Sequence, residues 1–243
     1  KIAKTELRDL FYSPIAWLIL IIFTFQTGML FSGTIHNFAL SQEQGAAYGN
    51  LTYFIFASYN GLFANVQTYL YLYIPLLTMG LMSRELGSGS IKLLYSSPIT
   101  NSQIVLGKYV AMLIYGLVLI GVLAVYAVYV FCVVQNADVT LVLSGLLGIY
   151  LLLCVYVAIG LFMSSLTSYQ IVAAVGTLAI LAALTYVQGM WQAVPFVREI
   201  TYWFGLSGRA WAFVGGLVSS EDVLYFVVVI ALFICMTIIR MQS

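Results

Sequence analysis

The sequence predicts an all-α membrane protein with six transmembrane helices. Of its 243 residues, 63% are hydrophobic and only 7% are charged, whereas soluble domains carry about 25% charged residues. The charged residues lie far apart, which leaves long uncharged runs. We expect these runs to be helices, because an open sheet cannot satisfy its backbone groups in lipid. A net charge of +1 gives no basic surface for nucleic acid.

The predicted spans follow from the gaps between charged residues, because a helix needs about 20 residues to cross the hydrocarbon core of a bilayer. No charged residue lies between Asp9 and Glu43. The gap from Asp138 to Arg198 is long enough for two helices, and we expect a turn at residues 164–168, where four of five residues carry a hydroxyl group. Within a single membrane domain over residues 1–243, the predicted spans are residues 14–34, 66–84, 107–134, 141–163, 170–188 and 222–240.

The positions of lysine and arginine predict the orientation, since positive residues near helix ends stay in the cytoplasm. Six spans place both termini on the same side. With the termini inside, the outer loops hold only Arg198 and Arg209, and the cytoplasmic segments hold the other seven basic residues: Lys1, Lys4, Arg8, Arg84, Lys92, Lys108 and Arg240. We therefore expect both termini in the cytoplasm.

Residues 1–12 predict a short helix lying on the membrane surface. At about 100° per residue, one side of this helix is basic, with Lys1, Lys4 and Arg8. The opposite side is apolar and is interrupted only by Glu6: Ile2, Leu7, Leu10 and Phe11. We expect Ser13 and Pro14 to end this helix and to start the first span. A solvated flank with accidental periodicity is the alternative interpretation.

Residues 86–99 lie in the only sizeable cytoplasmic loop, between the second and third predicted spans. A Gly/Ser stretch precedes a short apolar piece that Pro98 ends. Ile91, Leu94 and Tyr95 have the i, i+3, i+4 spacing of one helix face. Such a face suits a groove on a partner protein, although a helix resting on lipid headgroups explains the same residues equally well.

Residues 189–221 predict an outer segment of short re-entrant helices before the last span. The segment is too apolar for a free loop, and it holds three of the four tryptophans: Trp191, Trp203 and Trp211. Tryptophan favours the level of the lipid headgroups, so we expect this segment to dip into the outer leaflet or to lie along it. A plain aromatic belt is the alternative.

The sequence shows no catalytic or metal-binding pattern. The three cysteines stand apart in apolar runs and His36 is the only histidine, so we expect neither a disulfide framework nor a metal site. Gly107-Lys108 is followed by Tyr109, which excludes a Gly-Lys-Ser/Thr phosphate loop there. We also expect no ionisable residue inside the predicted spans, where a proton- or sodium-coupled carrier normally keeps one.

Two stretches of the chain resemble the type-2 ATP-binding-cassette (ABC) permeases. That family carries an acidic residue, a Gly-Thr-x-x-x-Leu-Leu-x-Ser-Pro-Ile segment and then Gly-Lys. This chain has Glu85, a similar run over residues 89–99 with Ser90 in place of the threonine, and Gly107-Lys108. The beginning of the chain, at residues 6–8 and 11–15, resembles the permease of the gliding-motility transporter branch.

The resemblance implies that the apolar piece of the loop is a coupling helix, seated in a cleft of a nucleotide-binding subunit. The implied coupling residues are Glu85, Ile91, Lys92, Leu93, Leu94, Tyr95 and Pro98. It also implies two ATPase subunits that bind the ATP and Mg²⁺, and a second permease, identical or related. The chain itself is then no enzyme, and the complex moves a substrate, by export, across the inner membrane of a bacterium.

In this family the first and fifth spans face the second permease. Small residues on those spans would allow close approach there: Gly28 and Gly33, or Ala173, Ala174 and Gly176.

Three other functions remain as alternatives. Six spans also suit a non-transporting scaffold. Residues 205–208, Gly-Leu-Ser-Gly, are similar to the serine motif of rhomboid-type intramembrane proteases. Those enzymes need a histidine on a later span to activate the serine, whereas His36 precedes it. An ion channel would need a selectivity filter or a ring of charge, and the spans contain neither pattern.

Overall fold

A computed structural model describes residues 2–43, 50–89, 100–134, 137–186 and 205–242. These residues form ten helices and no strand. The helices are α1 (Ile2–Tyr12), α2 (Pro14–Glu43), α3 (Leu51–Phe56), α4 (Leu62–Thr78), α5 (Ser83–Ser88), α6 (Asn101–Val133), α7 (Val139–Leu166), α8 (Gln170–Tyr186), α9 (Leu206–Val214) and α10 (Ser220–Gln242).

A long helix lies at each of the six predicted spans, and several of these helices start or end elsewhere than expected. The first predicted span ends at residue 34, whereas α2 continues to Glu43. The third begins earlier than expected, at Asn101, because Thr100 and Gln103 form a capping box. The break between α1 and α2 falls at Ser13, directly before Pro14.

Membrane-crossing length separates these six helices into two groups. Within the described part of the chain, α2, α6, α7 and α10 are long and apolar enough to cross a membrane. The other two, α4 and α8, have 17 residues each, which corresponds to about 26 Å, a little less than the hydrocarbon core of about 30 Å. Six crossings therefore stay a prediction.

The hydrophobic core forms around α7, which packs against α4, α6, α8, α9 and α10. In the most apolar 18-residue stretch of α7, 67% of the residues are buried, against 17–28% in the corresponding stretches of α2, α6 and α10. Glycines allow the neighbouring helices to approach closely. A Cβ atom on Gly145 would lie 2.5 Å from the ring of Phe63 in α4, and one on Gly148 would overlap Phe213 in α9.

Contacts between helix ends define two opposite ends of the bundle. At the first, here called the α1 end, the side-chain amide of Asn101 donates to the Met241 carbonyl at 2.9 Å. The predicted turn at residues 164–168 lies at this end but is shorter than expected: α7 continues to Leu166, so Ser164 and Ser165 are buried helical residues. At the other end, the α3 end, Asn50 beside α3 donates to the Asp138 carboxylate beside α7.

Candidate functional site

The predicted functional residues fall into three groups, of which the structure describes only some members. Of the predicted coupling residues, Glu85 lies in α5, and the others lie outside the described residues: Ile91, Lys92, Leu93, Leu94, Tyr95 and Pro98. Lys1, Trp191 and Trp203 also lie outside them. The described members of the other two groups are Lys4, Leu7, Arg8 and Phe11 in α1 and Trp211 in α9. The α1 end contains most of the described members.

A hydroxyl group of α7 holds the junction between α4 and α5. Oγ of Ser164 accepts hydrogen bonds from the backbone N–H groups of Met82, at 3.0 Å, and Ser83, at 3.1 Å. The same hydroxyl donates to the Met79 carbonyl at 2.9 Å. It therefore satisfies the last turn of α4 and the first turn of α5, where helix ends leave backbone groups unpaired. This attaches the junction between α4 and α5 to α7.

Lys108 forms two ion pairs at the same end of the bundle. Its ammonium group lies 2.8 Å from a carboxylate oxygen of Glu6 in α1 and 2.6 Å from one of Glu85 in α5. The Lys108 side chain is only 3% exposed, against 26% for Glu6 and 22% for Glu85. Removing one partner of a buried ion pair typically costs about 3–5 kcal/mol, because the remaining charge stays buried. The Lys108 ammonium thus bridges α1, α5 and α6.

This cluster corrects the expectation that no ionisable residue lies inside the predicted spans. Lys108 belongs to the third predicted span, residues 107–134, and is buried in α6. Its place in the sequence indicates a motif residue and a cytoplasmic charge, and Glu6 has the appearance of an interruption in an apolar face. Two features of the sequence point to this cluster: a carboxylate, Glu6, on the apolar side of α1 and a lysine, Lys108, within an apolar helix.

The contacts of α1 place it against α6 and α2. A Cβ atom on Gly107 would lie 2.6 Å from Cγ2 of Ile2, so this glycine allows α1 to lie directly on α6. At the C-terminal end of α1, the Trp17 indole N–H donates to the Phe11 carbonyl at 2.7 Å. Lys4 and Arg8 are exposed, whereas Leu7 and Phe11 are partly buried. The basic and apolar sides therefore differ in exposure, in the sense that the sequence indicated.

A cleft opens beside the ion-paired cluster. Its volume is about 200 Å³, and it lies between α1, the end of α4 and the beginning of α8. Asp9, Arg84 and Gln170 line it together with the three residues of the cluster. The cluster therefore borders a space that water can reach, although the Lys108 side chain itself is almost fully covered.

The α3 end contains a second ion pair, between α9 and α10. The Arg209 guanidinium lies 2.6 Å from the Asp222 carboxylate and 4.4 Å from the centre of the Tyr225 ring. Trp211 in α9 is 39% exposed. With nine residues, α9 is too short to cross a bilayer. These contacts attach α9 to the last helix.

Metal chemistry has no support in the described residues, which contain no group of three or more His, Cys, Asp or Glu side chains placed to hold an ion. At the α1 end, two carboxylates and one ammonium group make an electrostatic connection. The ion pairs of Lys108 thus connect α1 and α5 to α6.

Residues 1–198 match the model of a family described as ABC-2 family transporter protein. The match covers α1 to α8 and therefore includes the ion-paired cluster. No curated protein matches the chain.

Proposed function

The chain belongs to the ABC-2 family of transporter proteins, and on that premise we propose that it is a permease subunit driven by ATP hydrolysis on separate ATPase subunits. Membership in this family makes the chain a multi-pass membrane component of an ABC transporter. Beyond family membership, we propose the ATPase coupling, the direction of transport and the assembly.

The proposed assembly contains two ATPase subunits, which bind ATP and Mg²⁺, and a second permease, identical or related. Each permease crosses the bacterial inner membrane six times with both termini in the cytoplasm, and the two permeases face each other through their first and fifth spans. We expect the complex to export its substrate. Under this orientation the α1 end of the bundle is cytoplasmic.

The observation that carries the proposal is the attachment of α5 to the transmembrane helices directly before the predicted coupling segment. Lys108 and Ser164 both hold this helix, through the Glu85 carboxylate and through the backbone of Met82 and Ser83. A segment pushed by an ATPase transmits force only where it is attached to the transmembrane helices. Here the attachment leads from α5 to α6 and α7. A loop that merely rested on lipid headgroups would need no such attachment.

We expect Leu94→Asp to separate coupling from membrane insertion. Burying an apolar side chain such as Leu94 in a partner's cleft contributes roughly 1.5–3 kcal/mol, and a carboxylate at that position loses this contribution and adds a desolvation cost. The permease should reach the membrane at a near-normal level, while its ATPase subunits co-purify less and the reconstituted complex hydrolyses less ATP. Glu85 and Lys92 would surround the contact as charges that orient it.

Ser96→Asp is the matched control, since it adds the same charge at a nearby polar position that the family pattern leaves unspecified. It should leave co-purification and ATP hydrolysis close to those of the unsubstituted protein. Unchanged co-purification and hydrolysis in the Leu94→Asp protein would overturn the coupling assignment. A permease that binds its ATPase but never changes the rate of hydrolysis would instead favour the scaffold function.

A further inference from the structure

The cluster around Lys108 joins two short helices that each have a break beside them. A non-helical residue, Ser13, separates α1 from α2, and residues 79–82 separate α5 from α4. Each short helix therefore adjoins a break about which its angle to the neighbouring long helix can change, and Ser164 holds the break beside α5 in place on α7. Lys108 itself lies in α6, which is one continuous helix without such a break.

One ammonium group serves both carboxylates. The Lys108 nitrogen lies 2.8 Å from Glu6 and 2.6 Å from Glu85, so the two acidic side chains compete for the same three donors. Within the described residues, the second carboxylate oxygen of Glu85 is buried and accepts no hydrogen bond. Lys108 is therefore the described side chain that holds the Glu85 carboxylate. A displacement of Glu85 changes the position of the ammonium group and thus its attraction for Glu6.

Water has little access to the Lys108 end of this connection, although both carboxylates are partly exposed at the cleft. The Lys108 side chain is 3% exposed, and an ammonium group that loses its carboxylate partners in a buried position incurs a large desolvation cost. The low-energy response to a movement of α5 is then a movement of Lys108 and Glu6 with it. The Gly107 contact favours the same response, because Ile2 of α1 lies directly on α6 beside Lys108.

From this geometry we infer that Lys108 is a positioning residue that makes α1 move together with α5 during the ATP cycle. The inference rests on the proposed function, since it takes α5 to be displaced through the coupling segment. It assigns a mechanical role to α1, and it identifies Glu6 as the residue through which α1 receives the displacement.

The experiment measures the movement of α1 and α5 separately. Nitroxide labels are placed on cysteines at Lys4 in α1 and at Ser88 in α5, each paired with a label at the exposed Val139 on α7 at the opposite end. The exposed cysteines Cys132 and Cys235 are replaced by alanine. Distances are measured by pulsed electron paramagnetic resonance on the permease assembled with its ATPase subunits, without nucleotide and with ATP plus vanadate.

In the protein with an intact cluster we expect both distances, Lys4 to Val139 and Ser88 to Val139, to shift with nucleotide. Glu6→Gln removes the carboxylate charge from α1 and leaves the pair between Lys108 and Glu85. It should abolish the shift at Lys4 and retain the shift at Ser88. Lys108→Met should have the same effect on Lys4, and Lys108→Arg should retain the shift at both positions.

Asp9→Asn is the matched control. Asp9 lies in the same helix as Glu6, but its carboxylate is 64% exposed and lies near Arg8, at 3.8 Å, rather than at Lys108. This variant should behave as the unsubstituted protein does. If Lys108→Met fails to assemble, Glu6→Gln still decides the question, because it leaves the buried ammonium with one partner.

The possible results separate this inference from the proposed function. A shift at Lys4 that survives in Glu6→Gln overturns the inference, and so does a shift at Ser88 with none at Lys4 in the intact protein. Both of these results leave the proposed function in place. The absence of any nucleotide-dependent shift at Ser88 overturns the proposed function and this inference together.

Discussion

Gly160 shows how closely α7 packs against α4 at the level of single atoms. A Cβ atom at this position would overlap Oγ1 of Thr78, and Thr78 is fully buried in α4. The hydroxyl of Thr78 already donates to the Ile74 carbonyl at 2.9 Å, within its own helix. The side chain therefore has little freedom to move aside.

Gly160→Ala should destabilise the protein. Adding atoms to a well-packed core typically costs about 1–3 kcal/mol, and we expect a lower midpoint of thermal unfolding in detergent. Gly121→Ala is the control within another long helix, because no atom lies within 4 Å of a Cβ atom there. In a helix interior, alanine is favoured over glycine by about 1 kcal/mol, so this variant should unfold at the same temperature or higher. An equal decrease in both variants would refute the packing argument.

The role of Lys108 was visible in the sequence only in part. A lysine near the start of an apolar helix has the appearance of a cytoplasmic charge. Its two partners are 102 and 23 residues away along the chain. Spacing along the chain does not predict such pairs, because they depend on how α1 and α5 pack against α6.

At the scale of the helices, the sequence predicts where helices lie better than it predicts where they start and end. Apolar runs identified the positions of α2, α4, α6, α7, α8 and α10, since a long run without charge has no other stable form in lipid. The ends depended on local contacts. The capping box of Thr100 and Gln103 set the start of α6, and α2 continued through polar residues because no glycine or proline interrupts residues 34–43.

The segment before α10 gives a prediction at this scale. Helix α9 is held to α10 by the ion pair of Arg209 and Asp222. We expect residues 189–221 to return to the outer face without crossing the membrane. In a background lacking Cys132 and Cys235, cysteines at Gln192 and at Ser220 should both react with a membrane-impermeant reagent from outside. Reaction of the two positions from opposite sides would add a seventh crossing and contradict the prediction.

For the whole molecule, the distribution of charge predicts the orientation. Seven of the nine lysines and arginines fall on the predicted cytoplasmic side, and positive residues near helix ends remain in the cytoplasm. A cysteine at Ser88 should then be labelled only after the inner face is exposed, and one at Gly45 should be labelled in intact cells. The reverse pattern would contradict the orientation and the six-span layout together.

The fold class of the molecule was predictable, but its packing order was not. Composition predicted a helical membrane protein, and residues 1–198 match a family of transporter proteins. Hydropathy does not distinguish the central helix, α7, from the peripheral ones. The mean hydropathy of the most apolar 18 residues is 2.5 in α7, against 2.6 in α6 and 2.7 in α10. Lipid and protein neighbours are equally apolar, so a buried helix and a lipid-facing helix have similar compositions.

The central position of α7 has a consequence for biosynthesis. A ribosome makes α7 before α8, α9 and α10, although α7 packs against all three. When α7 first enters the bilayer, its contacts with α4 and α6 can form. The faces of α7 that will later pack against Phe213 of α9 and against α10 still contact lipid at that stage. Gly148 lies on one of these faces, and its missing Cβ makes room for Phe213 of α9. Completion of the core is therefore a late event in the maturation of the nascent chain.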